Sequence, residues 1–327
     1  MYLYMFGLDG ENIERFSDEM NAAGINGIVA GSFTESQMEV LTKHNLDAYL
    51  CFGSFSRAGF DDERLAVDYK GERKLWFGSS CPSDEEVADK RIREVLDKCR
   101  NIGIKGIFSD GARFASFASP EGKDAFYTCF CPRCIERAKN FNIDLEAARE
   151  LYKKGDYIAG LQIMKKFRAA AMKEYFAKTY NAIKKYNASY KVAAFIFASS
   201  LAGYVGQGNV TDVDILAPML YRRYPYSEGP ACLNHEWAAA SEMLGLWPDP
   251  AKTNAAGSGD LVQTGFEPEQ LYIETSAVKN PAYSLMPIIQ LEDDRLAESV
   301  REVEKAGADG CGFFMYKKEF MEKYYNL

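Results

Sequence analysis

The feature of this sequence that most constrains its fold is a regular alternation of short apolar runs with amphipathic helical patterns. Apolar runs bounded by Gly, Pro or polar residues are typical of buried parallel strands, and the helical patterns between them supply the crossovers that parallel strands need. The sequence therefore predicts an α/β protein, a (β/α)8 TIM barrel. Eight runs are predicted as its strands: Tyr2 to Phe6, Gly27 to Ala30, Ala48 to Phe52, Ile104 to Phe108, Val192 to Phe197, Ile215 to Leu220, Leu285 to Gln290 and Gly310 to Tyr316.

Glycines mark where several helical patterns stop. Gly24, Gly103 and Gly307 each follow a helical pattern and precede a strand-like run. Glycine after a helix commonly adopts a left-handed conformation that ends the helix, so each is predicted to end a helix and lead into a strand. The helical patterns between strands include Asn12 to Ala23, Glu35 to His44, Ser83 to Asn101 and Asp293 to Ala306.

Three connections are too long for minimal loops. Barrels with insertions reach 327 residues without dividing, so a single TIM-barrel domain over 1–327 is expected. Residues 53–82, 111–190 and 222–283 follow the third, fourth and sixth strands, and all three are expected over the barrel mouth. Segment 111–190 is predicted as a helical insertion, and 222–283 as a loop insertion. The insertion's helices are predicted near Cys131 to Asn140, Leu145 to Tyr152 and Tyr157 to Tyr186.

Composition and charge exclude several classes of partner. With 47% hydrophobic and 26% charged residues, the chain resembles an ordinary globular protein. A net charge of −8 disfavours nucleic acid, which is bound mainly through Lys and Arg. No apolar run approaches the length of a membrane span, and the N-terminus lacks the pattern of a signal peptide. A cytoplasmic protein without membrane or nucleic-acid partners is expected, and a homo-oligomer is left open.

Three cysteines stand close together in the helical insertion. Cys129, Cys131 and Cys134 have C-x-C-x-x-C spacing, which is too close for independent core positions and is typical of metal ligands or redox partners. Eight cysteines in a chain without a secretory signal fit reduced thiols or a metal site better than a disulfide framework. Three thiolates alone leave a tetrahedral zinc site incomplete.

Asp110 is the first candidate catalytic residue. It follows the fourth apolar run, and residues at the carboxyl ends of barrel strands form the active sites of TIM-barrel enzymes. Gly111 gives the loop freedom, and Arg113 supplies a positive charge that would keep the carboxylate ionised. A helix cap or a loop salt bridge is the alternative.

Glu292 is the best candidate for a second carboxylate. Strand alternation directs Gln290 and Glu292 to the same side after the seventh run, and Asp293 or Asp294 then suits the helix N-cap. An acidic residue in the first turn of a helix is also favoured by the helix dipole alone, which is the competing explanation.

Further side chains are predicted to contact a substrate, and Arg113 and Gln290 are among them. Tyr221 and Arg222 end the sixth run in a group of aromatic and guanidinium groups, a combination that suits sugars. Gln207 follows the fifth run, His235 lies in the third long connection, and Asp9 follows the first run, where capping the first helix is the alternative role.

Several cofactor classes lack their signatures. Only two histidines occur, which argues against a catalytic metal held by several His ligands. No Walker loop, no G-x-G-x-x-G opening a helix and no G-x-S-x-G elbow is present, so no organic cofactor is expected.

Several motifs along the chain resemble those of the large group of glycoside-hydrolase-like TIM barrels, and they occur in the same order. The resemblance spans nearly the whole chain and is most specific in its Cys-Pro elements. The segments that carry it are Ser80 to Ser83, Gly106 to Phe114, Cys129 to Cys134, Val205 to Gln207, Ala217 to Tyr221 and Gly310 to Phe314.

The resemblance implies a site and an activity. It links Cys81 to the later cluster, so four sulfurs would surround one structural zinc, with free thiols or one disulfide as alternatives. It also implies cleavage of a glycosidic bond in a carbohydrate substrate, with Asp110 as nucleophile or base and Glu292 as the preferred acid, while the sequence leaves open which of the two is the acid. A carbohydrate-binding barrel without turnover, or another barrel enzyme such as a lyase or isomerase, remains the alternative.

Overall fold

The computed structural model describes residues 2–6, 8–100, 102–117, 123–222, 266–291 and 293–314. Two predicted site residues, Glu292 and His235, lie outside the described residues, as do most of the 222–283 connection and the end of the last predicted strand.

The fold is built on a curled parallel sheet, consistent with a TIM-like architecture. The strands are β1 (Tyr2–Phe6), β2 (Gly27–Ala30), β3 (Asp47–Gly53), β4 (Ala66–Val67), β5 (Arg73–Lys74), β6 (Gly106–Asp110), β7 (Lys191–Phe197), β8 (Ile215–Met219), β9 (Ser284–Leu285), β10 (Ile288–Gln290) and β11 (Gly310–Phe314). Neighbouring strands pair in the order β10-β11-β1-β2-β3-β6-β7-β8-β9, and β10 also pairs with β8 at Ile288 and Met219. A small antiparallel hairpin, β4-β5, lies apart from this sheet.

Helices connect the strands, and several begin at polar residues that cap them. Thr34 forms a capping box with Gln37, and the carboxylates of Asp84, Asp144 and Asp156 accept backbone N–H groups in the first turns of their helices. The helices are α1 (Ile13–Ala22), α2 (Glu35–Lys43), α3 (Glu85–Lys98), α4 (Pro132–Asn140), α5 (Leu145–Lys153), α6 (Tyr157–Tyr186), α7 (Ser199–Ala202), α8 (Pro268–Ala277) and α9 (Leu296–Lys305). None of the helices in the described ranges is long and apolar enough to cross a membrane.

Two sequence expectations differ from the observed backbone. The run Leu285 to Gln290 divides into β9 and β10 around Pro287, which has no N–H to donate to a ladder. Gly24 and Gly307 adopt positive φ angles of 72° and 85°, as predicted, but Gly103 does not. Helix α3 ends at Lys98, so Gly103 lies too far along the chain to cap it.

Aromatic side chains fill the centre of the sheet below the candidate site. Phe108 of β6 stacks on Phe195 of β7, with ring centroids 4.7 Å apart, and the edge of Tyr49 of β3 meets Phe108 at 5.7 Å. These packed rings support the strands at whose carboxyl ends the predicted site residues lie.

Candidate functional site

Asp110 is the last residue of β6, a strand that begins and ends two residues later than the predicted run from Ile104 to Phe108. Its Oδ1 accepts a hydrogen bond from the N–H of Gly111 at 2.7 Å, and its backbone carbonyl accepts one from Ser54 at 2.8 Å. Burial raises the pKa of Asp110 above its ordinary value, and the positive charge of Arg113 and the Gly111 N–H only partly offset this. The carboxyl group therefore retains its proton to a higher pH than a surface aspartate does.

Arg113 is buried within a group of aromatic rings. The centre of its guanidinium lies 4.5 Å from the ring centroid of Phe197, 5.0 Å from Trp76 and 5.5 Å from Phe77. Its Nη1 donates a hydrogen bond to the carbonyl of Phe114 at 3.0 Å. Cation–π contacts thus hold a positive charge close enough to Asp110 to lower the cost of ionising it.

A tight hairpin turn in the connection after β3 brings a further aromatic residue to this place. The N–H of Ser79 donates to the carbonyl of Trp76 at 2.7 Å, and the two residues between them, Phe77 and Gly78, have φ angles of 46° and 59°. A Cβ placed on Gly111 would lie 3.7 Å from two atoms of the Phe77 ring. Phe77 therefore packs against Gly111, the residue that follows Asp110. No sequence pattern pointed to Phe77.

Gln207 is buried, and its amide joins the segment after Asp110 to strand β7. Its Nε2 donates to the carbonyls of Ala112 and Phe195, both at 3.1 Å, and its Oε1 accepts from the N–H of Phe197 at 2.9 Å. This geometry positions the Arg113 segment against Phe197. Its predicted contact with substrate stays a prediction.

The structure brings together three residues at neighbouring strand ends. Tyr221 stacks on Phe314 with ring centroids 5.2 Å apart and an interplanar angle of 18°, and Gln290 pairs in register with Phe314 across β10 and β11. Asp9 follows β1, and its Oδ1 accepts from the N–H of Asn12 at 3.1 Å, before α1. Its predicted contact with substrate stays a prediction.

Arg222 lies in a buried ion pair. Its Nε donates to Asp293 at 2.9 Å and to Ser299 at 3.1 Å, and its Nη2 also contacts Asp293. Burial alone would raise the pKa of Asp293, but the hydrogen bonds and charge of Arg222 outweigh it and hold that pKa below its ordinary value. The N–H of Phe266 donates to the carbonyl of Arg222 at 3.3 Å, and Nη1 of Arg222 contacts the carbonyl of Phe266. The observed partners favour a structural function, and the predicted substrate contact of Arg222 stays a prediction.

Four cysteine sulfurs converge in one buried cluster, hereafter the four-cysteine cluster: Cys81, Cys129, Cys131 and Cys134. The Sγ of Cys81 lies 3.5, 3.7 and 3.3 Å from those of Cys129, Cys131 and Cys134. All four are buried and none forms a disulfide. Cys81 comes from the connection after β3 and the other three from the connection after β6, so the cluster joins these two connections.

The geometry of the four-cysteine cluster fits a tetrahedral metal. A Zn–S bond of about 2.3 Å gives tetrahedral edges of about 3.8 Å between sulfurs, slightly longer than the observed separations. The N–H groups of Val67 and Ser83 point at the sulfurs of Cys129 and Cys81, at 3.3 and 3.4 Å. Such outer hydrogen bonds stabilise thiolates around a metal.

A buried arginine beside the cluster supports the same interpretation. Arg168 is fully buried and donates to the backbone carbonyls of Tyr204, Phe126 and Thr128, and within the described residues no carboxylate forms an ion pair with it. Burial lowers the pKa of Arg168 to about 10. A guanidinium buried among neutral carbonyls is costly, and a negatively charged tetrathiolate would compensate it.

The comparisons with known proteins concern the fold. The sequence matches no protein-family model and no curated protein. Among solved structures it is similar to the β-galactosidase of the Antarctic haloarchaeon Halorubrum lacusprofundi, with a TM-score of 0.61 and 14% identity over 97% of this chain. It is also similar to the β-galactosidase of Marinomonas ef1, with a TM-score of 0.62 and 10% identity over the full chain. The chain spans only 53% and 58% of those two proteins.

A third similar structure matches along nearly its whole length. The glycoside hydrolase domain of PgaB (BpsB) from Bordetella bronchiseptica has a TM-score of 0.58 and 11% identity, over 98% of this chain and 94% of that domain. At these identities the likeness establishes the fold alone. The class it defines is a TIM-like α/β fold of the kind found in glycoside hydrolases.

Proposed function

We propose that this protein is a glycoside hydrolase-like enzyme that cleaves a glycosidic bond at the carboxyl end of a closed eight-stranded barrel. The observation that carries the proposal is Asp110, a partly buried carboxyl group at a strand end of a fold shared with glycosidases. Its raised pKa, with Arg113 close enough to oppose that rise, matches the environment of a carboxyl group that exchanges a proton during catalysis.

Glycoside cleavage uses two carboxyl groups with different protonation states. The direction of the pKa shift favours Asp110 as the general acid that protonates the leaving oxygen, with Glu292 as the nucleophile or base. This reverses the preference drawn from the sequence, which left open which of the two residues is the acid. Tyr221 and Gln290, which lie together near the ends of β8 and β10, are proposed to line the carbohydrate site.

A hydrolysis screen tests the proposal. The protein is incubated with a panel of aryl glycosides and natural oligosaccharides, and released phenol or reducing sugar is measured. We expect turnover of at least one glycoside. Its rate should rise as the pH falls and the protonated fraction of Asp110 increases. Failure to cleave any member of the panel at any pH would count against an enzyme.

A carbohydrate-binding barrel without turnover is the second candidate. The observation that favours it is that the side chains of Gln207 and Arg222 form hydrogen bonds within the protein. The barrel mouth is then shaped by packed side chains. Binding of glycosides without their hydrolysis, measured on the same panel, would support this candidate over the enzyme.

We also propose that the four-cysteine cluster holds one structural zinc ion. The sulfur separations, the two N–H···S contacts and buried Arg168 support it, and four thiolates leave no open coordination position for catalysis. Elemental analysis of protein purified without added metal tests this directly. About one equivalent of zinc is expected, and less than about a tenth of an equivalent, with four freely titratable thiols, would contradict it.

A further inference from the structure

Phe77 occupies a backbone position that its side chain does not suit. A two-residue hairpin turn with positive φ at both central residues is a type I′ turn, in which Asn, Asp or Gly is favoured at the first position. Phe77 occupies that position, with a φ of 46°, although bulky residues rarely adopt this region. Its side chain is also 41% exposed, so burial of the ring does not compensate for the unfavourable backbone. Such outliers cluster at functional sites.

The surroundings of Phe77 hold in place the turn that carries its ring. Trp76, on one side of the turn, is buried, and its indole N–H donates to the carbonyl of Ser80 at 3.2 Å. The carbonyl of Gly78, on the other side, accepts from the N–H of Arg57 at 2.9 Å. One part of the ring lies over Gly111, the residue after Asp110, at a distance where a Cβ on Gly111 would make ordinary van der Waals contact with it. The turn that carries the aromatic surface is therefore held in place before any ligand arrives.

The chemistry of an exposed ring beside a carboxyl group points to a particular ligand. A pyranose has an apolar face of C–H groups that packs on aromatic rings, while its hydroxyl groups and ring oxygens need polar partners. Phe77 offers such a surface against Gly111, the residue that follows the carboxyl group proposed to protonate the glycosidic oxygen.

We propose that Phe77 is a substrate-positioning residue: its ring stacks against the C–H face of the pyranose whose glycosidic bond reaches Asp110. The inference rests on the proposed carbohydrate site and adds a ligand class, a hexopyranoside with a continuous C–H face on one side. Phe77 takes no part in proton transfer. It fixes the sugar plane relative to Asp110.

The test compares variants that separate the ring from the turn. Phe77→Asn removes the ring and suits the left-handed backbone, so the hairpin is retained. Phe77→Tyr keeps the ring. Tyr186→Asn is the matched control, because Tyr186 is also 41% exposed but lies at the end of α6. Dissociation constants are measured for methyl glycosides, which carry no aromatic group of their own, together with kcat/KM on any glycoside that is cleaved.

Phe77→Asn is expected to weaken glycoside binding about tenfold or more, which corresponds to about 1.4 kcal/mol. Phe77→Tyr and Tyr186→Asn should stay within about twofold of the wild type. Glycoside binding by Phe77→Asn within about twofold of the wild type would overturn the role of Phe77 and leave the proposed function standing. A wild-type protein that neither binds nor cleaves any glycoside would instead overturn the proposed function itself.

Discussion

Replacement of Cys81 by serine should destabilise the protein by an amount that the fold allows to be calculated. Cys81 is 48 positions from Cys129, so a metal that holds both sulfurs closes a loop of that length. In the chain-entropy treatment of cross-links, a loop of this size contributes about 14 cal/mol/K, or about 4 kcal/mol at 25 °C. A chain of 327 residues unfolds with an entropy of about 0.7 kcal/mol/K, so the loss corresponds to about 6 °C in Tm.

Thermal unfolding with and without a metal chelator measures this effect. Cys81→Ser should unfold about 6 °C below the wild type, and the chelator should lower the Tm of the wild type by a similar amount while leaving Cys81→Ser unchanged. Cys99→Ser is the matched control, because Cys99 is also buried but donates to the carbonyl of Val95 at 3.0 Å, outside the cluster. Its Tm should still respond to the chelator. A wild-type Tm that is insensitive to the chelator, with Cys81→Ser no less stable than Cys99→Ser, would refute the reasoning.

Three further predictions concern stability. Asp293→Asn should lower the free energy of unfolding, measured in denaturant, by about 3–5 kcal/mol, because it leaves the Arg222 charge buried and unpaired. In the wild type, the stabilisation from this pair should be fully present above the ordinary aspartate pKa of about 3.9, and it should be lost as the pH falls through the lowered pKa of Asp293. Asp110→Asn should raise the denaturation midpoint at pH 7, since burial of its ionised form is unfavourable, with the difference shrinking as the pH falls and Asp110 takes up its proton; a less stable variant would contradict the raised pKa. Phe77→Asn should be as stable as the wild type or up to about 1 kcal/mol more stable, because it relieves the left-handed backbone, and a loss of more than about 1 kcal/mol in the same assay would show that the ring is needed for folding.

The alternation of strands and helices could be predicted from the sequence because strand and helix patterns are local. Helix α6 runs from Tyr157 to Tyr186 as predicted, and β1 and β2 match their predicted ranges. The position of Asp110 at the end of β6 was predicted in the same way, because an acidic residue is unfavourable in the interior of a buried strand and so marks its end.

The contacts that define the candidate site were harder to predict from the sequence, because they depend on how loops distant in sequence meet in the fold. Arg222 and Asp293 are 71 positions apart, and no local pattern shows that they would form a buried pair instead of facing a ligand. No local pattern predicts the hydrogen bonds of the Gln207 amide either, because they go to backbone groups of two separate segments. Phe77 was missed because its φ angle is a property of the folded turn. The catalytic pairing of Asp110 with Glu292 stays a prediction.

The central claim is that Asp110 carries the cleavage of a glycosidic bond, and the rate of that cleavage in Asp110→Asn tests it most directly. The comparison uses the glycoside that the wild type cleaves best, with Asp89→Asn as the control, since Asp89 pairs with Lys178 on the surface of α3. Asp110→Asn should lose at least about a hundredfold in kcat, the lower end of what a general acid or base contributes, while Asp89→Asn keeps the wild-type rate. An Asp110→Asn protein that is folded and cleaves the glycoside at close to the wild-type rate would contradict the account.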